Sequence, residues 1–139
     1  MGLIRAIFGF NIGHELSHRN NKTMSYFLGQ VLLLSVLNLH FIPYHNAGHH
    51  RNVGKPSDPS TAAKGEWLYP FWVRSQLGGY IQAWQIENQR TEHKGYFIFS
   101  VHNVMVRYTF MTILFLVSQY FLLGPSLFGV YLFVVVISI

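Results

Sequence analysis

The chain contains no cysteine and only five acidic residues in 139. Without thiols there is no disulfide framework and no thiolate-held metal, so any metal centre must rest on imidazole and carboxylate. Charge of either sign is scarce. Asp, Glu, Lys and Arg make up 11% of the residues, against about a quarter in soluble domains. With half of the residues apolar, this shortage of charge points to a membrane. No internal repeat, low-complexity tract or second domain is visible, and the length is about that of one domain.

The scarcity of charge becomes complete after Arg107, where residues 108–139 are thirty-two uncharged, mostly apolar positions. One crossing needs roughly 20 residues, so this run is too long for one helix and too short for two. Gly124-Pro125 supplies a natural break, predicting spans at about 104–123 and 126–139. The second is cut off at Ile139, and the chain reads as a fragment truncated at both ends. Leu3 to Phe10 lacks a small-residue cleavage site and resembles the last turns of a membrane helix rather than a signal peptide. Met24 to Ile42 is long and apolar enough to cross, but is interrupted by Gly29, Gln30, Ser35, Asn38 and His40.

Between these apolar regions, residues 46–107 carry seven of the ten Lys and Arg. The positive-inside rule assigns this side, about 46–103, to the cytoplasm. The net charge of +5 is thus read as topology and headgroup attraction. A nucleic-acid surface would need basic residues with stacking aromatics on a soluble fold, so no nucleic-acid partner is expected. Lys55 to Pro59 reads as a turn, with Asp58 capping a short helix that starts at Pro59. Trp67, Tyr69, Phe71 and Trp72, with Arg74, suit the headgroup level. Leu77, Tyr80, Ile81 and Trp84 recur at helical spacing and predict an amphipathic surface helix over 76–92, these residues packing or anchoring it.

What the chain has in abundance is histidine, in clusters. Four of its eight histidines fall between His40 and His50, three of them as HxxxHH. Imidazole is a good ligand for iron, copper, nickel and zinc. On an α-helix His45 and His49 are neighbours one turn apart, while His50 points about a quarter-turn away. Gly48 leaves room where a metal would come close. Upstream, His14-Glu15-Leu16-Ser17-His18 offers a second pair at i and i+4. Five histidines exceed what one tetrahedral zinc takes and suit two metals better. If the boxes converge on one locus, 24–42 cannot be a single crossing, which would put them about 30 Å apart. His93 and His102 have no partner at ligand spacing and are read as structural.

The motifs NIGHELSHR, HNAGHH and KPSDPSTAAKGEWLYPFWVRSQLGGYIQAWQIEN together resemble the membrane alkane 1-monooxygenase family, within the histidine-box desaturases and hydroxylases. The boxes alone mark the wider superfamily; the pattern after the second box narrows it. The resemblance implies an all-α integral membrane protein, a partial transmembrane helical bundle with a cytoplasmic histidine-box region and a bacterial inner-membrane location. It also implies two non-haem irons, electrons from rubredoxin and rubredoxin reductase, and an alkane or fatty acyl substrate oxidised at its terminal carbon. Carried over residue by residue, the iron ligands are His14, His18, His45, His49 and His50. Glu15 is expected to hold a ligand imidazole through its second nitrogen, and His40 to lie near the box without binding metal.

The chain departs from that family in lacking its NYxEHYG-like motif, its later HxxHH-like box and its earlier transmembrane helices. By itself it is expected to be inactive. Tyr44 stands where many members have Glu, a change that leaves the ligands intact and alters a contact behind them. A competing reading comes from another class: HELSH also spells HExxH, the zinc metallopeptidase motif with Glu as base. That reading leaves HxxxHH unexplained.

Overall fold

In the computed structural model residues 5–19 and 22–138 are described, with side chains for 8–19 and 22–136, and all regular structure among them is helical. The helices group into two compact units, residues 1–39 with 108–139 and residues 40–107. The expected apolar start at Leu3 falls partly outside the described residues. From Arg5 a π-helical stretch, Arg5–Asn11, runs into α1, Ile12–Ser17.

In the first unit α1 lies against α2, Met24–Ser35, and two glycines set the distance. A Cβ on Gly13 would come within 2.9 Å of Leu33 Cγ, and one on Gly29 within 2.9 Å of Leu16 Cβ. Small residues allow this backbone approach, as in membrane helix pairs. Thr23 caps α2, its hydroxyl accepting from the Tyr26 N–H. The helix stops where Leu37 enters the left-handed region at φ 57°. The N–H groups of Leu37 and Asn38 then turn back to the carbonyls of Leu34 and Leu33, at 2.9 and 2.8 Å. Glycine usually occupies that position, and a leucine there carries about 1 kcal/mol of strain. The twelve residues of α2 span about 18 Å, short of the roughly 30 Å hydrocarbon layer. The stretch 24–42 is therefore not one crossing helix.

The long apolar run forms α6, Val104–Ser138, interrupted at Gly124 (φ 73°, ψ 166°) ahead of Pro125. The ring centroids of Phe115 and Tyr131 are 6.4 Å apart, and those of Tyr120 and Phe128 5.5 Å. Sixteen residues of straight helix would separate the first pair by about 24 Å, so the arms on either side of Gly124 fold back on each other. The break stands where the sequence placed it. Counted through, Val104–Val136 is long and apolar enough to cross a membrane. The arms bury Tyr108, Tyr131 and Val135 and expose Phe110, Leu114, Phe121, Leu127 and Phe133. Gln30 Nε2 donates to the Tyr108 hydroxyl at 2.7 Å, and Tyr131 donates to the Ser35 carbonyl at 3.1 Å. These bonds satisfy polar groups of α2 that an apolar environment would leave without water.

The second unit is built on a continuous winding: α3, Phe41–Tyr44, a π-helical turn His45–His49, and α4, His50–Asn52. It packs on α5, Leu68–His93. Pro70 fits the first turn of α5, where no N–H is required. Gly95, at φ 75°, closes its end with the same two backbone bonds that follow α2, to Glu92 and Thr91. The helix begins earlier than 76, and its packing face differs from the expected one. Gly79, Ala83, Glu87 and Thr91, four residues apart, are buried, whereas Leu77, Tyr80 and Ile81 are exposed. The reason is proximity. A Cβ on Gly79 would sit 3.1 Å from the Tyr44 ring, so only small residues fit beneath α3. Of the large set Trp84 packs against a core of Tyr44, Ala83 and Met105, and the exposed Tyr80 ring meets His40.

The short helix expected from Pro59 does not form; residues 53–67 are turns and bends. Arg74, expected beside the aromatics at the headgroup level, is engaged within the protein. Its guanidinium grips this loop, donating to both Glu66 oxygens at 3.0 and 2.7 Å and to the carbonyls of Pro59 and Thr61.

Candidate metal centre

The first box lies in the first unit. His14 sits on α1 and His18 is its C-terminal cap, so the i, i+4 spacing places both rings on one side. Their Nε2 atoms are 3.0 Å apart. Two imidazole nitrogens bound about 2.1 Å from one metal at a right angle would be separated by about 3 Å. The pair thus has the spacing of adjacent ligands. The Ser17 hydroxyl donates to the His14 carbonyl at 2.7 Å and steadies the turn between them. The Glu15 carboxylate is exposed.

The second box lies in the second unit, and the π-helical turn shapes it. The His50 N–H bonds back to the His45 carbonyl, five residues earlier. That widening carries residue i+5 over residue i. The ring centroids of His45 and His50 are 4.4 Å apart, closer than the 5.3 Å between His45 and His49. The sequence, read on an α-helix, left His50 splayed away; the wider turn brings it in. His45 is buried, His49 half-buried and His50 exposed. Gly48 is needed for helix packing rather than for room at a metal, since a Cβ there would meet Gln82 Oε1 at 2.7 Å and Ile86 Cδ1 at 3.1 Å.

Behind the box stands a carboxylate that the sequence did not assign to it. Asp58 is fully buried, and its Oδ2 lies 2.8 Å from His49 Nδ1. Burial alone would raise its pKa, but hydrogen bonds from Thr61, Tyr44, the Ser60 N–H and His49 hold it below the usual carboxylate range. An ionised carboxylate can only accept, so His49 Nδ1 donates, and neutral His49 keeps its lone pair on Nε2. Burial, reinforced by the Asp58 carboxylate and opposed by the bonds with Ser60, pushes the Tyr44 hydroxyl up to about 12, so it too is a donor. It donates to Asp58 Oδ1 at 2.8 Å. In the sequence KPSDPST reads as a turn, and nothing local marks Asp58 as a partner of His49.

His40 packs edge-on against Tyr80 at 5.2 Å, and burial pushes its pKa down to about 4. His93 donates to the Gln89 carbonyl at 2.7 Å, and His102 stacks on Tyr96 at 3.9 Å. The His14–His18 pair at ligand spacing and the His49 imidazole held by a carboxylate fit a histidine-bound transition metal.

Helices carrying two histidine boxes define a class, and the whole chain, residues 1–139, matches the model of the fatty acid desaturase family. The chain belongs to that family. Within it, the chain is 33% identical over 127 residues to alkane 1-monooxygenase of Ectopseudomonas oleovorans, covering 91% of this chain and 31% of that protein. It is 32% identical over 125 residues to alkane 1-monooxygenase 1 of Alcanivorax borkumensis, covering 90% and 30%. Against alkane 1-monooxygenase of Acinetobacter baylyi it is 34% identical over 107 residues, covering 77% and 26%. The chain spans less than a third of the length of these relatives.

Proposed function

We propose that the chain is part of a membrane non-haem di-iron monooxygenase that hydroxylates the terminal carbon of medium- or long-chain alkanes, using O2 and electrons from rubredoxin. The observation that carries this is the pair of histidine boxes, the first with its two Nε2 atoms 3.0 Å apart and the second with its three rings 4.4 to 6.0 Å apart between centroids. The similarity to alkane 1-monooxygenases supports the substrate class.

His14, His18, His45, His49 and His50 would supply iron ligands, with Glu15 and His40 close by and not bound to metal. Bound iron would supply O2 activation and attack on an unactivated C–H bond, which no side chain achieves alone. The protein's own residues do the rest. His14 and His18 present their Nε2 atoms side by side, and Asp58 fixes the nitrogen that His49 presents. The apolar arms of α6 suit a lipid setting, from which an alkane arrives already dissolved, and the boxes are assigned to the cytoplasmic side of a bacterial inner membrane.

The test is made in membranes on the longer protein of which the chain is part, supplied with iron, rubredoxin, rubredoxin reductase and octane; the 139-residue chain by itself is expected to yield no octanol. The expected product is 1-octanol above an iron-only control. Desaturated or hydroxylated fatty acyl chains without octanol would move the assignment to another histidine-box lipid enzyme. Stoichiometric zinc without iron in active material would favour the HExxH peptidase.

A further inference from the structure

We propose that Asp58 is a positioning residue of the second histidine box, locking His49 in the Nδ1–H tautomer so that Nε2 is the nitrogen offered to a metal. This rests on the iron-binding reading above for the identity of the metal, but the tautomer itself does not require one.

Asp58 is completely buried and all its accepting capacity is used. Oδ1 receives the Tyr44 hydroxyl at 2.8 Å and the Ser60 N–H at 3.2 Å. Oδ2 receives the Thr61 hydroxyl at 2.6 Å and His49 Nδ1 at 2.8 Å. A carboxylate offers about four lone-pair sites, so Asp58 has none to give a metal and acts through the imidazole. Its donors come from both sides: Tyr44 from α3, just before the box, and Ser60 and Thr61 from the loop. Tyr44 is anchored in turn, its hydroxyl 2.7 Å from Ser60 Oγ, which lies 2.9 Å from Ser75 Oγ on α5. The loop itself is clamped by Arg74. The carboxylate is thus fixed by three groups that are not histidines, and His49 takes its orientation from it. A residue that merely stapled the 57–61 turn would need Tyr44, Ser60 and Thr61 but would leave the His49 tautomer free. That difference is measurable.

The full chain, labelled with 15N-histidine and reconstituted in lipid without metal at about pH 8, where imidazole is neutral, reports each ring's tautomer by solid-state NMR. The His49 signal is identified by its loss in His49→Gln. The expected result is His49 as Nδ1–H, shifting toward the Nε2–H form in Asp58→Asn. In the same variant Fe2+ affinity should fall about 10- to 100-fold with helical circular dichroism unchanged. Wild-type His49 in the Nε2–H form overturns the proposal, as does an unchanged tautomer in folded Asp58→Asn. Should Asp58→Asn fail to fold, the wild-type spectrum decides by itself. Wild-type Nδ1–H in a protein that binds no iron would leave the tautomer lock standing and remove the di-iron function.

Discussion

Removing the hydroxyl of Tyr44 probes the polar cluster behind the second box while leaving the core intact. Tyr44 is 3% exposed, and its ring packs over Gly79 and beside Gly48. Tyr44→Phe keeps that ring and deletes the donor 2.8 Å from Asp58 Oδ1. Ser60 is cushioned, because its N–H still reaches Asp58 at 3.2 Å and its hydroxyl still meets Ser75 at 2.9 Å. The contacts of the hydroxyl with Ser60 Oγ and the Ser60 N–H go as well, but the uncompensated loss is the hydrogen bond to a buried carboxylate, about 1.5–3 kcal/mol. Tyr44→Ala would add the cavity left by an aromatic ring, about 3–5 kcal/mol in total. Asp58→Asn should cost a similar amount to Tyr44→Phe, since an amide cannot accept from all four donors. The double variant should then lose less than the sum, with a coupling of about 1–2 kcal/mol. Unfolding in mixed micelles by SDS titration, followed by circular dichroism, measures all four corners of the cycle. Additive losses, or a Tyr44→Phe protein within about 0.5 kcal/mol of wild type, would show that this hydrogen bond does not hold the box.

Iron content should fall sharply in His14→Ala and in His18→Ala and stay at the wild-type level in His93→Ala, whose ring serves the Gln89 carbonyl; atomic absorption on purified protein checks this. Burial holds His40 near a pKa of about 4, below its unfolded value of about 6.5. The neutral form is the one the fold accepts, so stability is full above pH 6.5 and is lost as pH falls toward 4. The loss is on the order of 1–3 kcal/mol, and His40→Gln should flatten that part of the stability–pH curve. Gly48→Leu should cost about 1–3 kcal/mol by overpacking against Ile86 and Tyr44, read as a lowered SDS midpoint.

The parts of this fold legible in the sequence are those encoded locally. Gly124-Pro125 announces its break because glycine can take φ 73° and proline cannot continue the helix. The histidine boxes show through the repeat of one residue type at ligand spacing. Other features depend on contacts between distant residues. Leu37 ends α2 in a conformation that favours glycine, so nothing nearby marks the stop. The packing face of α5 is built mainly of small and polar residues, and Leu77, Tyr80 and Ile81 are exposed, reversing the usual amphipathic rule. The π-helical turn is invisible to an α-helical wheel, which is why His50 was displaced from its place. Asp58 looks like a turn residue until the chain brings His49 within 2.8 Å of it.

That π-helical turn bears on how such a box can vary in spacing. In an α-helix the residues stacked over position i are i+3 and i+4; in an i→i+5 turn they become i+4 and i+5. HxxxHH wound wide and HxxHH wound tight therefore present equivalent triangles of imidazole, differing by one residue of backbone slack. Asn46 is exposed, so its excision would let the turn relax to α-helical pitch and leave the histidines together. The spacing between histidines and the pitch of the helix are exchangeable. A search for metal boxes that fixes one interval would overlook sites in which a single inserted residue has been taken up by the winding.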